Sequence, residues 1–260
     1  MSDLHARLRA LGLITASGML DDLVALATKK RWGPVEILEH VADAEEKDRA
    51  RRGLDRRMSC SRLDKFKPMA DFDWNWPTAI DRPLVDSLLT LDFVESARNV
   101  VLVAQGGLGK TMIAQNIAHR AVLAGKSVRF ISAAQLLLDL GAQESARSLD
   151  RRLHYYSKIG LLVIDELGFL AFDNRNADLL FQVVSRRYEK KSLVLTTNLA
   201  FAEWHTVFPS ATCATALVER VVHHADIVKI EGDSYRLRES ELAANTRRDS
   251  RRDKKLPKQS

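Results

Sequence analysis

The chain has 260 residues, 46% hydrophobic and 28% charged, with a formal net charge of +6. That length and balance suit one full-sized domain plus a smaller appendage, and they exclude collagen-like and membrane-spanning classes, since no apolar run approaches the ~20 residues that cross a bilayer. Cys60 and Cys213 lie too far apart for a disulfide framework or a Cys-x-x-Cys metal knuckle, and the polar residues after Met1 do not read as a secretory leader, so a reduced, cytoplasmic setting is expected.

Leu4, Leu8 and Leu11 fall at helical spacing, and Leu20, Leu23, Val24 and Ala27 repeat it after a break at Gly18. Gly33-Pro34 marks a boundary. Val35, Leu38 and Ala42 then start another amphipathic helix, which runs into a basic stretch ending near Arg57. Residues 47–67 hold nine basic side chains against three acidic, and residues 247–258 hold seven against two, so two basic segments flank a mildly acidic body. Clustered cations neutralise neighbouring phosphates together and release counterions, which makes Arg51, Arg52, Arg56 and Arg57 candidate DNA contacts. A solvated helix face is the competing reading.

Between residues 67 and 83 the texture changes. Pro68, Pro77 and Pro83, with Phe72, Trp74 and Trp76, read as a connector held by aromatic anchors and without regular structure. From Asn99 onward, short runs rich in Val, Ile and Leu (100–103, 128–131, 161–164 and 192–195) alternate with stretches of helical length such as 112–124 and 176–188. That pattern predicts a parallel α/β sheet covered by helices on both faces. Residues 227–230 and 234–237 are expected to form a final hairpin around Gly232-Asp233, and the tail beyond Asn245, which has no hydrophobic periodicity, is expected to be disordered. The expected organisation is a helical adaptor over 1–67, a connector over 68–98, the α/β domain over 99–242 and a basic tail over 243–260.

The strongest chemical signal is Ala104-Gln105-Gly106-Gly107-Leu108-Gly109-Lys110-Thr111, which follows an apolar strand and precedes a helix beginning with Met112. This is the context of a phosphate-binding P-loop. Gly106, Gly107 and Gly109 let the backbone aim N–H groups at phosphate oxygens, with Leu108 and Met112 completing the turn into the helix. Lys110 is placed to reach the β- and γ-phosphates of ATP, and Thr111 to ligate Mg²⁺. The strict pattern opens with Gly, where this chain has Ala104, a residue accommodated there if its φ is negative. A glycine turn with an incidental Gly-Lys-Thr is the alternative. The second signal is Asp165-Glu166, after the apolar run 161–164. Adjacent carboxylates at the end of a buried strand are costly unless they face a site. Paired with the P-loop, Asp165 is expected in the Mg²⁺ shell and Glu166 as the base for the attacking water, which favours hydrolysis over storage. Asn198, ending the next strand, is a candidate sensor of the γ-phosphate or a plain turn residue. Arg220 is a candidate arginine finger for a neighbouring subunit's ATP, or a surface arginine paired with Glu219 or Asp226.

Together the P-loop, residues 161–168, 179–188, 195–208 (with Asn198, Phe201 and Trp204) and 213–235 (with Arg220, His223-His224 and Gly232-Asp233-Ser234-Tyr235) resemble the IstB-like transposition helper ATPases over residues 3–238. These are relatives of the DnaC helicase loaders and DnaA initiators in the AAA+ class. The resemblance implies an AAA+ P-loop core behind a small all-helical N-terminal domain, ATP-promoted self-assembly on DNA, control of a partner transposase, Asn198 as the sensor and Arg220 as the finger. It also places DNA contacts in the helices after the second core strand, where Arg147, Arg151, Arg152, His154, Tyr155, Tyr156 and Lys158 stand. A solvated helix face with the tyrosines in the core is the alternative there. No base-reading signature appears, so duplex binding with weak sequence preference and strong salt dependence is expected. His223-His224, with no acidic or cysteine partner at metal spacing, reads as structural. Three other functions remain open: a helicase loader acting on single strands, a small-molecule P-loop kinase, and a nucleotide-gated DNA-binding module that does not turn over.

Overall fold

Helical periodicity governs the N-terminal residues, and helices form there. The computed structural model describes residues 2–168 and 172–238, which divide into two units, one ending at Ser59 and the other starting at Cys60. The basic tail lies outside the described residues.

The first unit comprises α1 (Ser2–Ala10), α2 (Ile14–Gly18), α3 (Leu20–Lys30) and most of α4 (Pro34–Ser61). Ala16, Leu20, Leu23 and Ala27 make its small apolar centre. Glu45 is only 4% exposed, and its carboxylate accepts the Ala16 N–H at 2.9 Å. A buried carboxylate needs such partners, and Arg49 and Arg52 supply charge at 3.8 and 4.0 Å. Arg51 and Arg52 also hold Asp48 at 2.5 and 2.7 Å. Two of the four arginines singled out for DNA on this helix therefore already pair with acids one turn away. Arg56 and Arg57 lie further along α4.

In the second unit the apolar runs form β2 (Asn99–Ala104), β3 (Val128–Ser132), β4 (Leu161–Leu167) and β5 (Ser192–Thr197), joined by β1 (Ala79–Ile80) and β6 (Ala225–Glu231). The order is β1-β6-β2-β5-β4-β3, with every pairing parallel except the antiparallel β1–β6 edge. The expected terminal hairpin is corrected. β6 pairs with β2 and β1, whereas residues 235–238 turn into a helix beside the P-loop, where the Tyr235 N–H donates to the Gly107 carbonyl at 3.1 Å. The connector is also more regular than its composition suggests. It holds β1, α5 (Arg82–Leu88) and α6 (Asp92–Glu95).

The remaining helices are α7 (Lys110–Leu123), α8 (Ala133–Gly141), α9 (Ala146–Lys158), α10 (Asn174–Arg187) and α11 (Ala211–Val222). Side chains of a strand alternate between faces. Val101, Leu162, Ile164, Leu193 and Leu195 share one core with α8, α9, α10 and α11, while their buried neighbours Val100, Leu102, Leu161, Val163 and Val194 lie on the other face. Burial on both faces explains why these strands read as continuous apolar runs.

At the end of the sheet away from the P-loop, Arg187 is fully buried, and no ion pair with a carboxylate is found for it among the described residues. Its guanidinium donates to the carbonyls of Tyr156 (2.6 Å), Ile159 (2.8 Å) and Ser192 (2.6 Å), which joins the end of α9 to the starts of β4 and β5. Burial pushes its pKa down to about 9, so it stays protonated at neutral pH. The free carbonyls at the end of α9 suit a cation. Arg187→Leu should destabilise the protein by at least about 3 kcal/mol, because several buried carbonyls lose their donor. Urea denaturation checks this, and a loss under about 1 kcal/mol would show that the carbonyls find other partners.

Candidate nucleotide site

The P-loop leaves the C-terminal end of β2 and turns into α7. Gly107 and Gly109 have φ of 84° and 90°, in the left-handed region open to glycine. A Cβ at Gly109 would lie 2.5 Å from the Phe72 ring, and one at Gly107 would lie 2.1 Å from Ser234 Oγ. Conformation therefore favours glycine at both positions, and any side chain there would also have to displace Phe72 or Ser234. Ala104 ends β2 and is not among the residues with positive φ, so the departure from the strict motif costs no backbone strain. Lys110 is 8% exposed and donates to the carbonyls of Ala104 and Gln105 at 2.6 and 2.8 Å. Burial lowers its pKa and nearby Arg236 lowers it further, against the attraction of Asp165 and Glu166.

An open cleft of about 390 Å³ sits above this loop. Gly106, Gly107, Leu108, Gly109, Lys110, Thr111, Met112 and Glu166 line it, as the sequence led one to expect. Phe72, Trp76, Tyr235 and Arg236 line it too, and the motif reading did not assign these to the site. The connector reaches the cleft because Asn116 of α7 accepts the Met69 N–H at 3.0 Å and donates to the Lys67 carbonyl at 3.0 Å. Trp76 is held by its Nε1–H donating to the Asp233 carbonyl at 2.7 Å, an edge contact with Tyr235, and the Arg238 guanidinium 4.3 Å above its ring.

The two carboxylates are set by an irregularity in the sheet. Ile164 pairs with Leu195, but Leu167 pairs with Thr197, so Asp165 and Glu166 together oppose Thr196 alone. This two-against-one arrangement is a β-bulge. Glu166 takes φ of 61°, a region sparsely used by residues other than glycine and common at functional sites. Thr196 is fully buried. Its hydroxyl donates to Asp165 Oδ1 and accepts the Glu166 N–H at 2.9 Å. Asp165 Oδ1 also accepts from Thr111 Oγ1 at 3.2 Å. Asp165 thus faces the start of α7, and Glu166 opens onto the cleft and onto a neighbouring polar pocket lined by Asp139, Arg129 and Arg152. The hydroxyl of Thr111 and the carboxylate of Asp165 are hard oxygen donors of the kind that hold Mg²⁺.

A model of the IstB-like ATP-binding proteins matches residues 5–243. The chain belongs to the IstB-like ATP-binding family. Among relatives of this family, an IS21 insertion-sequence putative ATP-binding protein of Pseudomonas aeruginosa is 35% identical, covering 94% of this chain and 92% of that protein. An IS5376 counterpart from Geobacillus stearothermophilus is 33% identical, covering 82% and 85%. AMPPCP-bound DnaA from Aquifex aeolicus shares the fold at a TM-score of 0.54 and 18% identity, over 66% of this chain and 52% of that one. This IstB-like chain thus combines a P-loop ATP-binding family with a fold shared with DnaA, and insertion-sequence ATP-binding proteins are among its relatives.

Other residues singled out from the sequence lie elsewhere. Asn198 is not among the residues lining either pocket, and its Oδ1 is buried without a hydrogen-bond partner. Arg220 stacks over Phe181 of α10, 4.4 Å from the ring centre, while Asp226 pairs with Arg98. On α9, Arg147, Arg151, His154, Tyr155 and Lys158 are exposed, at spacings that share one helix face. Arg152 and Tyr156 instead donate to Asp139 Oδ2 at 2.5 and 2.6 Å. These bonds hold the Asp139 pKa below its ordinary value although burial works against it, and burial pushes the Tyr156 phenol up. Tyr156 is fully buried, whereas Arg152 is a third exposed and already paired with Asp139. No described helix is long and apolar enough to cross a membrane.

Thr196→Val keeps the shape of the side chain but removes both hydroxyl bonds. It should cost about 1–3 kcal/mol of stability in urea denaturation, with Thr196→Ser retaining most of it. Ala104→Gly should leave nucleotide affinity, read from displacement of a fluorescent nucleotide, within about threefold of wild type, because Ala104 contributes its carbonyl and not its side chain. A larger gain would mean that the alanine methyl restrains the loop.

Proposed function

We propose that this protein hydrolyses ATP to regulate transposition, assembling on duplex DNA with ATP and engaging a transposase. The observation that supports hydrolysis most directly is the bulge at residues 165–166. It separates two adjacent carboxylates, one toward Thr111 and one into the cleft. A second carboxylate that opens onto the cleft suits a base for an attacking water.

In this reading the backbone N–H groups of residues 106–112 cradle the phosphates, and Lys110 exchanges its two carbonyl partners for β- and γ-phosphate oxygens. Thr111 and Asp165 hold Mg²⁺, which when bound neutralises charge on the phosphates. Glu166 orients the attacking water and accepts its proton. Phe72, Trp76 and Tyr235 offer aromatic surface to the adenine. Asn198 senses the γ-phosphate, a role supported by its unpartnered buried oxygen. Arg220 acts on the ATP of an adjacent subunit, so that ATP completes interfaces and hydrolysis loosens them.

Duplex contacts fall on the exposed face of α9, with Arg147, Arg151 and Lys158 following phosphates, and on Arg56 and Arg57 of α4. The insertion-sequence setting of the relatives supports a transposase as partner.

Glu166→Gln should still bind ATP while turning it over at least about 10²-fold more slowly. Equal turnover by variant and wild type would overturn the enzymatic reading, and turnover by a monomer without DNA would favour a small-molecule kinase. Fluorescence anisotropy with ATP and Mg²⁺ should show cooperative binding to a labelled duplex. Preference for the matching single strand would favour a helicase loader. The Arg147→Ala/Arg151→Ala double variant should reduce the slope of log affinity against log salt by about 2 on duplex DNA. An unchanged slope would remove α9 from the interface.

A further inference from the structure

We propose that Glu189, His223 and His224 form a binding site for a first-row divalent transition ion such as Zn²⁺, at the end of the sheet away from the P-loop. In sequence the two histidines have no acidic partner at metal spacing. The fold supplies one by bringing the turn after α10 to the end of α11. Each of the three exposed side chains offers a ligand atom, and these atoms lie within 4.8 Å of one another.

The geometry suits coordination as well as an ion pair. His224 Nε2 stands 3.4 Å from Glu189 Oε1. That is long for a charge-assisted hydrogen bond, which closes to about 2.7–2.9 Å. It matches the separation of two ligands in a tetrahedron with bonds of about 2.0–2.1 Å. The His223 and His224 ring centres are 4.0 Å apart and tilted by 57°. Tyr188 Oη is 2.8 Å from His223 Nδ1. The tautomer that donates to the phenol leaves the Nε2 lone pair for a metal, the orienting arrangement found behind ligating histidines.

The backbone holds these groups in place. Glu189 has φ of 56°, a conformation sparsely used by residues other than glycine. Its turn is fixed by the N–H groups of Lys190 and Lys191, which both donate to the Arg187 carbonyl at 2.9 Å. The His224 carbonyl accepts the Asn99 N–H at 2.8 Å, at the start of β2. Two imidazoles and one carboxylate select Zn²⁺ or its neighbours over Mg²⁺, which demands oxygen ligands. A bound ion ties the end of α10 to the end of α11, the two helices that carry Phe181 and Arg220.

Isothermal titration of the tag-free full-length protein with ZnCl₂, and separately with MgCl₂ in the absence of nucleotide, tests this. Wild type should take up one Zn²⁺ reversibly and no Mg²⁺ at this site, with a Zn²⁺-dependent rise in Tm. Tyr188→Phe should weaken Zn²⁺ binding about tenfold. Glu189→Gln should weaken it further, and the His223→Ala/His224→Ala double variant should abolish both uptake and the Tm rise. Circular dichroism and metal-free Tm confirm that the variants fold. No Zn²⁺ uptake by wild type, or equal uptake by the double variant with the ion held by Cys60, Cys213 or another group, would overturn the proposal.

Discussion

The two hydrogen bonds of the Thr196 hydroxyl organise the chemical end of this molecule. One bond fixes Asp165 and the other fixes the backbone of Glu166. In a regular strand, successive side chains point to opposite faces, and both faces of β4 are packed with apolar residues. Either carboxylate would then point into a core. The bulge removes this conflict by adding one residue to β4 at the end of the sheet, and the buried hydroxyl satisfies the N–H and carboxylate that the bulge leaves over. Everything upstream, from the buried strands to the α8–α11 layer, serves to hold β4 and β5 side by side so that this contact forms.

The P-loop is a second local solution with the same dependence on context. Its glycines read as a phosphate cradle, but the walls around them come from distant sequence. Phe72 arrives through the connector that Asn116 pins to α7, and Ser234 arrives through the turn after β6. The opposite end of the sheet is held differently, by the buried Arg187 cation donating to carbonyls at the ends of one helix and the start of a strand. One end of the domain is therefore built around oxygen donors and anions, and the other around a buried cation held by backbone carbonyls.

Much of this was legible in the sequence because the signals were local. The apolar runs predicted β2, β3, β4 and β5, and the Gly-rich segment and Glu166 are among the residues that line the cleft. What could not be read depends on register and long-range contact. Thr196 lies near the end of β5, in a Thr-Thr-Asn segment whose last residue reads as the candidate sensor. Only the pairing of Leu167 with Thr197 shows that Thr196 faces the carboxylates. Residues 234–237 alternate as a strand does, yet tertiary contact with Gly107 draws them into a turn and helix. Arg152 and Tyr156 read as candidates for a DNA face, and only the position of Asp139, on another helix, shows that both already have an acidic partner. The Arg51 and Arg52 pairs with Asp48 were visible at helical spacing, but the buried Glu45 was not.

The account rests on Thr196 acting through Glu166, and a double-mutant cycle on ATP turnover tests that coupling most directly. If the Thr196 hydroxyl serves to place Glu166, Thr196→Val should slow turnover by a smaller factor in the Glu166→Gln background than in wild type, the remaining factor coming from its bond to Asp165. If the two substitutions multiply their separate effects, Thr196 and Glu166 act independently, and the bulge does not position the base.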